Sequence, residues 1–308
     1  MGFKKTLASI VLSGAIALGL GNKSDAVELI TIPAGGGDIS YTYQIGKYEI
    51  TQQEWFDVMG TWPSRYDGVS GGNLNGTAGD REIHPVEQIY WEDAANFCNA
   101  LSIQEGLPPV YDSEYNIDSE AFEAGGYRLP FRDEWKKAGG WDPRMNDGAG
   151  GFHTQGFGRD TIEKLDACFW NSDFPDRPDE GYYPGDNGTN PIGWYNGINP
   201  GFYNPEETTN ACENYYGIFD MTGNVYEYVN DFSQGQRISV GGGFDRSRHN
   251  GFNQVDVGIL YQGGVSNGFR IVQIPEPSTA GLLGLGSLAL LKNKRRKDNI
   301  KNPPNKIL

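Results

Sequence analysis

Glycine is the residue type that most constrains this chain, because 44 of its 308 residues are glycine. Glycine favours turns and weakens helix and strand interiors, where it loses the most conformational freedom on folding. Glycine pairs and triplets recur along the sequence, beginning at Gly35, Gly71, Gly125, Gly139, Gly241 and Gly263. Aromatic residues are also frequent, at 13%, whereas disordered chains are poor in them. Many turns and many large apolar rings together predict a compact, loop-rich protein.

Regular secondary structure is indicated at only a few places. The first predicted helix runs from Thr51 to Met59, with Thr51 and Glu54 as a capping box and Gly60 as the stop. The other predicted elements are helices Trp91–Ser102 and Phe131–Ala138, the latter ended by Gly139 and Gly140, and strands Glu28–Ile32, Tyr41–Ile50, Ile238–Val240 and Gly268–Ile274. No fixed repeat or Pro/Ser-rich linker divides residues 27–272. The sequence therefore predicts one α+β domain.

The N-terminus has the layout of a secretory signal peptide. Lys4 and Lys5 precede an apolar stretch from Leu7 to Leu20, and small residues Ser24 and Ala26 occupy the cleavage positions. Residues 1–26 are therefore predicted to be removed, and the mature chain to begin at Val27. A buried N-terminal helix is the alternative interpretation.

The C-terminal segment, residues 275–308, has three parts in a fixed order. Pro275-Glu276-Pro277 precedes an apolar run over residues 280–291, and a cluster of Lys and Arg follows over residues 292–297. The run is shorter than the roughly 20 residues that a helix needs to span a bilayer. This order resembles the PEP-CTERM sorting signal of exported bacterial proteins. The resemblance implies export to the cell surface or medium, transient inner-membrane anchoring through a positive-inside tail, and processing by an exosortase-type enzyme. A plain C-terminal anchor is the alternative.

The predicted exported domain, residues 27–274, is strongly acidic. It holds 15 Lys and Arg against 37 Asp and Glu, for a net charge of -22. Such a field repels nucleic acid and anionic lipid, and it favours cations. The charge therefore argues against nucleic-acid binding.

The chain has three cysteines, Cys98, Cys168 and Cys212, which is an odd number for an exported protein. Cys98 lies on the apolar face of the second predicted helix and is expected to be a small buried hydrophobe. We therefore expect that any disulfide joins Cys168 to Cys212.

Five blocks of sequence, in order, resemble the formylglycine-generating enzyme (sulfatase-modifying factor) family. They are Tyr48–Thr51, His84–Val86 leading into Trp91–Cys98, Tyr127–Pro130 with Glu134-Trp135, Gly217–Asp231, and Gly241-Gly242 with Gly268–Arg270. The resemblance implies the formylglycine-generating-enzyme fold, a loop-rich relative of C-type lectin domains with few helices and short strands. It agrees with the loop-rich domain predicted from composition.

The fourth block contains a candidate calcium site. Asp220 and Glu227 supply carboxylates, and the resemblance implies main-chain carbonyl ligands at Gly223 and Val225. Calcium takes roughly 6 to 8 hard oxygens in a flexible cage. The alternative is that both carboxylates are solvated and that the intervening Asn only stabilises the turn. A second calcium site of the family is not expected, because Cys168 stands where its first ligand, an Asn, would lie.

The fifth block lacks the residues that the family's catalysis needs. Family enzymes place two cysteines five and ten residues after the first glycine, where they bind copper(I). Here Arg246 and Gly251 occupy those positions, and neither supplies the soft thiolate that copper(I) prefers. The sequence therefore argues against copper-dependent formylglycine generation.

Other catalytic chemistry is poorly supported. The three histidines, His84, His153 and His249, show no metal-ligand spacing. His84, beside Pro85, is expected to be a turn residue. A triad of Ser247, His249 and Asp245 would need sequence neighbours to adopt a geometry that they rarely reach, and no G-x-S-x-G motif is present.

Two functions follow from these observations. The first is an exported, non-catalytic, calcium-stabilised, lectin-like domain of the cell surface or extracellular matrix, which holds a polysaccharide or a surface protein in a groove with aromatic residues nearby. The groove residues would be Asp245, Arg246, Arg248, His249 and Asn250, with Trp194, Tyr195 and Phe244 as the aromatic residues. The alternative is an oxidoreductase of the same superfamily with altered chemistry. A purely structural envelope component is also compatible with the sequence.

Overall fold

The structure is a computed structural model that describes residues 27–66, 83–167, 169, 188–200, 206–233, 236–244 and 266–275. The predicted signal peptide and the tail from residue 276 onward lie outside these residues, as do Cys168 and residues 245–265. Across the described ranges, no helix is long and apolar enough to cross a membrane.

The elements are short and alternate between helix and strand. In chain order they are β1 (Leu29–Ile32), β2 (Tyr43–Gly46), α1 (Gln52–Met59), α2 (Trp91–Gln104), α3 (Ser119–Glu123), α4 (Arg132–Gly140), β3 (Trp141–Asp142), α5 (Met145–Gly148), β4 (Gly151–Phe152), β5 (Tyr226–Ser233), β6 (Gln236–Val240), β7 (Asn267–Gly268) and β8 (Val272–Gln273). The long connections between them confirm the predicted loop-rich α+β character.

The start and end of α1 match the sequence prediction. The Thr51 hydroxyl accepts a hydrogen bond from the Glu54 main-chain N–H, and the Glu54 carboxylate accepts one from the Thr51 N–H. Gly60 ends the helix at φ 69°, in the left-handed region where glycine carries no steric penalty. Local capping chemistry therefore suffices to define this helix.

The predicted stop of the third helix at Gly139 is wrong. Helix α4 continues through Gly139 and Gly140, and both glycines are buried. The side-chain amide of Asn214 donates to the carbonyls of Ala138 and Gly139 at 2.8 and 3.1 Å. This distant side chain satisfies carbonyls that would otherwise lack a partner at the helix end, so the helix ends later than its glycines suggest.

Two three-stranded sheets and one two-stranded ribbon organise the chain. The first sheet has the order β1-β2-β8 and is antiparallel, with Ile45 paired to Val272. The second has the order β6-β5-β7, in which β5 pairs antiparallel with β6 and parallel with β7. Strands β3 and β4 form the ribbon. Residue Glu227 in β5 lies opposite both Val240 and Gly268, so three distant segments meet at this carboxylate.

Three buried apolar clusters fill the protein. The first joins α1 and α2 to Phe269 and Tyr228, and the second surrounds Trp135 of α4. The third is smaller and mostly aromatic; its buried members are Phe157, Ala167, Phe169, Tyr195, Cys212 and Phe244. One member of the third cluster, Phe244, is the last described residue before the predicted groove, and the description resumes at Ser266.

Candidate functional site: a buried carboxylate cluster behind a glycine turn

A tight turn at Thr222–Asn224 connects the predicted calcium ligands. Gly223 has φ 83° and Asn224 has φ 59°, which are left-handed conformations that glycine and asparagine tolerate best. The Gly223 N–H donates to the Gly241 carbonyl at 2.9 Å, and the Phe244 N–H donates to the Asn224 carbonyl at 2.8 Å. Two main-chain hydrogen bonds therefore attach this turn to the segment that leads into the predicted groove.

Glu227 is completely buried and pairs with an arginine. Its Oε1 and Oε2 atoms accept hydrogen bonds from the Arg270 guanidinium, both at 2.6 Å. The Trp135 indole N–H donates to Oε2 at 2.7 Å. A carboxylate has about four lone-pair sites, and these contacts use three of them. Glu227 can therefore offer a metal ion one further lone pair, on Oε1.

Two more carboxylates lie around Arg270. Glu49, which is buried, accepts from the Asn224 side-chain amide at 2.7 Å and from the Val225 N–H at 3.2 Å. Asp220 accepts from the Gly193 N–H at 2.5 Å. Burial raises the pKa of Glu49 well above its usual value, and the negative charges of Asp220 and Glu227 raise it further. Burial also raises the pKa of Asp220 to about 6.

The predicted calcium ligands are oxygen donors of the kind that calcium binds, but one of them, Glu227, has little free capacity. Asp220 and Glu227 do lie in one cluster, and the carbonyls of Gly223 and Val225 belong to the same turn. Hard oxygens of this kind suit calcium, although Glu227 is limited to one lone pair by Arg270. In the described ranges, no group of three or more His, Cys, Asp and Glu side chains could hold a metal ion, so main-chain oxygens and water would have to complete a shell there.

The sequence did not predict three members of this cluster. Glu49, Trp135 and Arg270 lie in three separate blocks of the chain. They are placed before α1, on α4 and between β7 and β8, and only the folded chain brings them to Glu227. The only sequence signal was that each belongs to one of the five blocks that resemble the family. Strand β5, which carries Glu227, was also not predicted, because its buried positions YEYVN do not alternate with polar ones in the usual pattern.

The predicted groove residues Asp245, Arg246, Arg248, His249, Asn250 and Gly251 lie outside the described residues. The three aromatic residues expected near the groove do belong to one cluster, in which Trp194 packs against buried Tyr195 and Phe244. Tyr195 is 3% exposed and Phe244 is 7% exposed. These two rings therefore form an interior layer beside the start of the groove segment.

The predicted Cys168–Cys212 disulfide is wrong, because Cys212 is a free, buried thiol. Its Sγ accepts a hydrogen bond from the Arg159 guanidinium at 3.4 Å and lies 4.0 Å from the Asp166 carboxylate. Burial raises the pKa of Cys212 to about 12. The Cys212 thiol therefore contacts the Arg159–Asp166 ion pair and is protonated at neutral pH. Cys98 is also free and buried, as expected.

The structure adds contacts for two of the histidines. His84 lies in a bend beside Pro85, which agrees with the predicted turn. It is also buried, and its Nδ1 lies 2.9 Å from the Thr189 hydroxyl. His153 has two carboxylates nearby, with Asp142 at 3.5 Å and Asp160 at 3.8 Å. The Arg144 side chain holds the pKa of Asp142 well below its usual value. These neighbours of His153 come from the β3–β4 ribbon and the loop after it, and sequence spacing alone did not reveal them.

Comparison with known proteins identifies both parts of the chain. Residues 6–273 match the family described as the sulfatase-modifying factor enzyme 1-like domain. Residues 273–297 match the PEP-CTERM protein-sorting motif, which indicates export and exosortase-processed sorting. The first match begins at residue 6, within the predicted signal peptide. The signal peptide itself remains a prediction.

The chain is also similar to a curated protein and to two solved structures. The "Chaperone protein LppX" of Paenibacillus barcinonensis is 31% identical over 233 residues, which cover 66% of this chain and 69% of that protein. The crystal structure of CarF superposes with a TM-score of 0.52 at 21% identity, covering 81% of this chain and 99% of CarF. Treponema denticola variable protein 1 gives a TM-score of 0.49 at 21% identity, covering 80% of this chain and 95% of that one. The likeness to CarF concerns the fold alone.

The predicted formylglycine-generating-enzyme fold is confirmed by these matches and by the short strands, few helices and long loops of the structure. Because the family match covers most of the sequence, this chain belongs to the sulfatase-modifying factor enzyme 1-like domain family.

Proposed function

We propose that this protein is an exported, non-catalytic binding protein of the cell surface or extracellular matrix, which uses the groove at residues 245–250 to hold a polysaccharide or a surface protein. The observation that carries the proposal is the exchange of the family's two cysteines for Arg246 and Gly251. A guanidinium and a glycine cannot bind copper(I), whereas arginine is well suited to hydrogen-bond a ligand's oxygen atoms.

The described thiols support a non-catalytic role. Cys98 is fully buried in the α1–α2 cluster, and burial raises its pKa far above the usual value. Cys212 is buried as well, and its thiol contacts Arg159 and Asp166. A copper site needs accessible thiolates, and neither cysteine supplies one.

Ligand binding can be tested by affinity retention on the producer's own exopolysaccharide. The full chain with calcium present should be retained, and the double variant Arg246→Ala/Arg248→Ala should pass through. Arg132→Ala is the matched control, since this exposed arginine lies on α4, in a different block of the sequence. If the unaltered protein shows no retention in calcium, and a surface-protein pull-down also recovers nothing that depends on Arg246 and Arg248, the groove is not a binding site.

We also propose that calcium stabilises the turn at Thr222–Asn224. Three carboxylates surround one guanidinium, so the ionised cluster carries two uncompensated negative charges, which a divalent cation would offset. Asp220 and Glu227 would supply side-chain oxygens and Gly223 and Val225 main-chain oxygens. Calcium should raise the unfolding temperature of the full chain and of the Asp133→Asn control, but not that of Asp220→Asn. Equal responses in Asp220→Asn and the control would place any bound calcium elsewhere.

A second candidate function is an altered oxidoreductase, and the position of one thiol favours it. Cys212 belongs to the same buried cluster as Phe244, the last described residue before the position of Arg246. Stoichiometric copper or iron retained after chelation and repurification, with loss of the metal in Cys212→Ser, would support this function. Absence of both metals, with ligand retention in the affinity experiment, would exclude it.

We further propose that the C-terminal tail anchors the protein in the inner membrane only in transit. The short apolar run and the basic cluster that follows it support this order of events. Replacing Pro275, Glu276 and Pro277 with Ala should leave the uncleaved chain in the membrane fraction, while the unaltered chain is released. Equal release of both chains would contradict the proposal.

A further inference from the structure

Three side-chain oxygens in the segments around Tyr66 and Asn190 are buried without a hydrogen-bond donor. They are Gln52 Oε1, Glu87 Oε2 and Asn190 Oδ1, and each side chain is 1% exposed or less. Gln52 and Asn190 are oriented by their amide nitrogens, which donate to Tyr66 and Pro85 carbonyls and to the Tyr195 hydroxyl. Buried acceptors without a donor are rare, and such groups commonly contact an ion or a water molecule.

The three side chains belong to one layer of the protein. Gln52 donates to the Tyr66 carbonyl at 2.9 Å, and Glu87 Oε1 accepts from the Tyr66 N–H at 2.8 Å. The Gln52 N–H donates to the His84 carbonyl, while the His84 ring contacts Thr189, which precedes Asn190. We call Gln52, Glu87 and Asn190 the acceptor layer.

The acceptor layer lies against residues that lead into the groove. The ring of Tyr66 packs edge-on against Phe244, with centroids 5.1 Å apart. The Asn190 N–H donates to the Asn224 side-chain oxygen at 2.9 Å, and the Asn224 carbonyl in turn accepts from Phe244. A ligand bound to the acceptor layer would therefore hold both contacts of Phe244 in place: the ring contact with Tyr66 and the main-chain hydrogen bond to Asn224.

We propose that the acceptor layer holds one alkali cation, sodium or potassium. Hard cations bind carboxylate and amide oxygens, which are the unpaired atoms present. When ionised, Glu87 gives the layer one negative charge. None of the salt bridges in the described part of the chain involves this carboxylate, although the Arg65 side chain attracts it. One monovalent cation therefore balances the charge, whereas calcium sites in proteins usually gather more carboxylates.

This site is separate from the proposed calcium site. The calcium ligands lie on the Thr222–Asn224 turn and β5, while the acceptor layer lies on α1, on the segment before α2 and at Asn190. Burial raises the pKa of Glu87 to about 7, against smaller opposing effects of hydrogen bonds from the Tyr66 and Arg65 main-chain N–H groups and the Ser64 hydroxyl, and of the Arg65 charge. A cation beside Glu87 would lower that pKa again.

The unfolding temperature of the full chain tests the proposal. It should be higher in sodium or potassium chloride than in choline chloride of the same ionic strength, by about 3 °C at roughly ten times the dissociation constant. Glu87→Gln keeps an acceptor for the Tyr66 N–H but removes the charge, and it should abolish this difference. Gln155→Ala is the matched control, because Gln155 Oε1 is also buried without a donor yet lies outside the layer, and its cation dependence should be unchanged.

Crystals soaked in thallium or rubidium give a direct readout. An anomalous peak within bonding distance of Glu87 and at least one of the two amide oxygens would support the proposal. An ordered water at that position with no anomalous signal, or a melting temperature that responds only to calcium, would overturn it. Equal melting temperatures of the unaltered chain in all three salts would overturn it as well.

Discussion

The side-chain amide of Asn224 donates to the carboxylate of Glu49 at 2.7 Å, across 175 residues of sequence. Asn224 also accepts from the Asn190 N–H and donates to the Asn190 carbonyl. One buried side chain in a left-handed turn therefore joins three segments: the connection between β2 and α1, the loop at Asn190, and the turn itself.

Replacing Asn224 with Ala should destabilise the protein by about 2–4 kcal/mol, because Glu49 and the Asn190 N–H would each lose a buried partner. The free energy of unfolding in urea measures this loss. Asn146→Ala is the control, since Asn146 also has positive φ and a side-chain hydrogen bond but is exposed. It should cost about 1 kcal/mol. Equal losses in both variants would mean that the buried hydrogen bonds contribute little.

The Arg270–Glu227 pair predicts a second, larger effect. Arg270→Met leaves Glu227 without its guanidinium partner and should cost about 3–5 kcal/mol. Arg144→Met removes an arginine whose side chain is 71% exposed and which pairs with Asp142, so we expect a much smaller loss, because solvent screens exposed ion pairs. Urea unfolding of the two variants gives the comparison, and similar losses would contradict a structural role for the buried pair.

Glu87 predicts a pH dependence of stability. Its pKa is about 7 in the folded protein and about 4.3 in an unfolded chain, so the folded state binds a proton more tightly. This contribution to stability is complete below about pH 4 and is lost as the pH rises to about 7, by roughly 3 kcal/mol. In choline chloride, Glu87→Gln should therefore unfold at a higher temperature than the unaltered chain at pH 8. If the unfolding temperatures of Glu87→Gln and of the unaltered chain differ by the same amount at every pH from 4 to 8, Glu87 does not titrate in this range.

The thiols predict an absence of labelling. Cys98 and Cys212 are buried, and burial raises the pKa of both, so neither should react with iodoacetamide in the native protein at pH 8. Both should react after denaturation, and mass spectrometry of tryptic peptides distinguishes the sites. Rapid native labelling of Cys212 would show that its cluster opens, and it would favour the oxidoreductase alternative.

Close packing at Gly268 predicts a steric effect. A Cβ atom on Gly268 would lie 2.4 Å from the Val86 carbonyl oxygen, whereas one on Gly60 would meet nothing within 4 Å. Gly268→Ala should therefore cost about 3 kcal/mol or more through displacement of β7. Gly60→Ala should cost only about 1–2 kcal/mol through its positive φ. Thermal unfolding measures which variant loses more stability, and a smaller loss for Gly268→Ala would contradict the close packing of Gly268 against Val86.

Local signals in the sequence predicted the elements whose determinants are local. Helix α1 followed from Thr51, Glu54 and Gly60, which act within one helix. Helix α4 was predicted too short, because Asn214 satisfies its last carbonyls from 75 residues away. The same limit applies to the site: Asp220 and Glu227 were found from their spacing, whereas Arg270 became visible only in the folded chain.

The two main-chain hydrogen bonds from the Gly223 turn to Gly241 and Phe244 have a consequence for how this fold diversifies. Backbone amides and carbonyls are common to almost every residue, so the attachment of the groove segment does not depend on which side chains follow it. Side chains that follow Phe244 in sequence are thus exchangeable at little cost to this attachment.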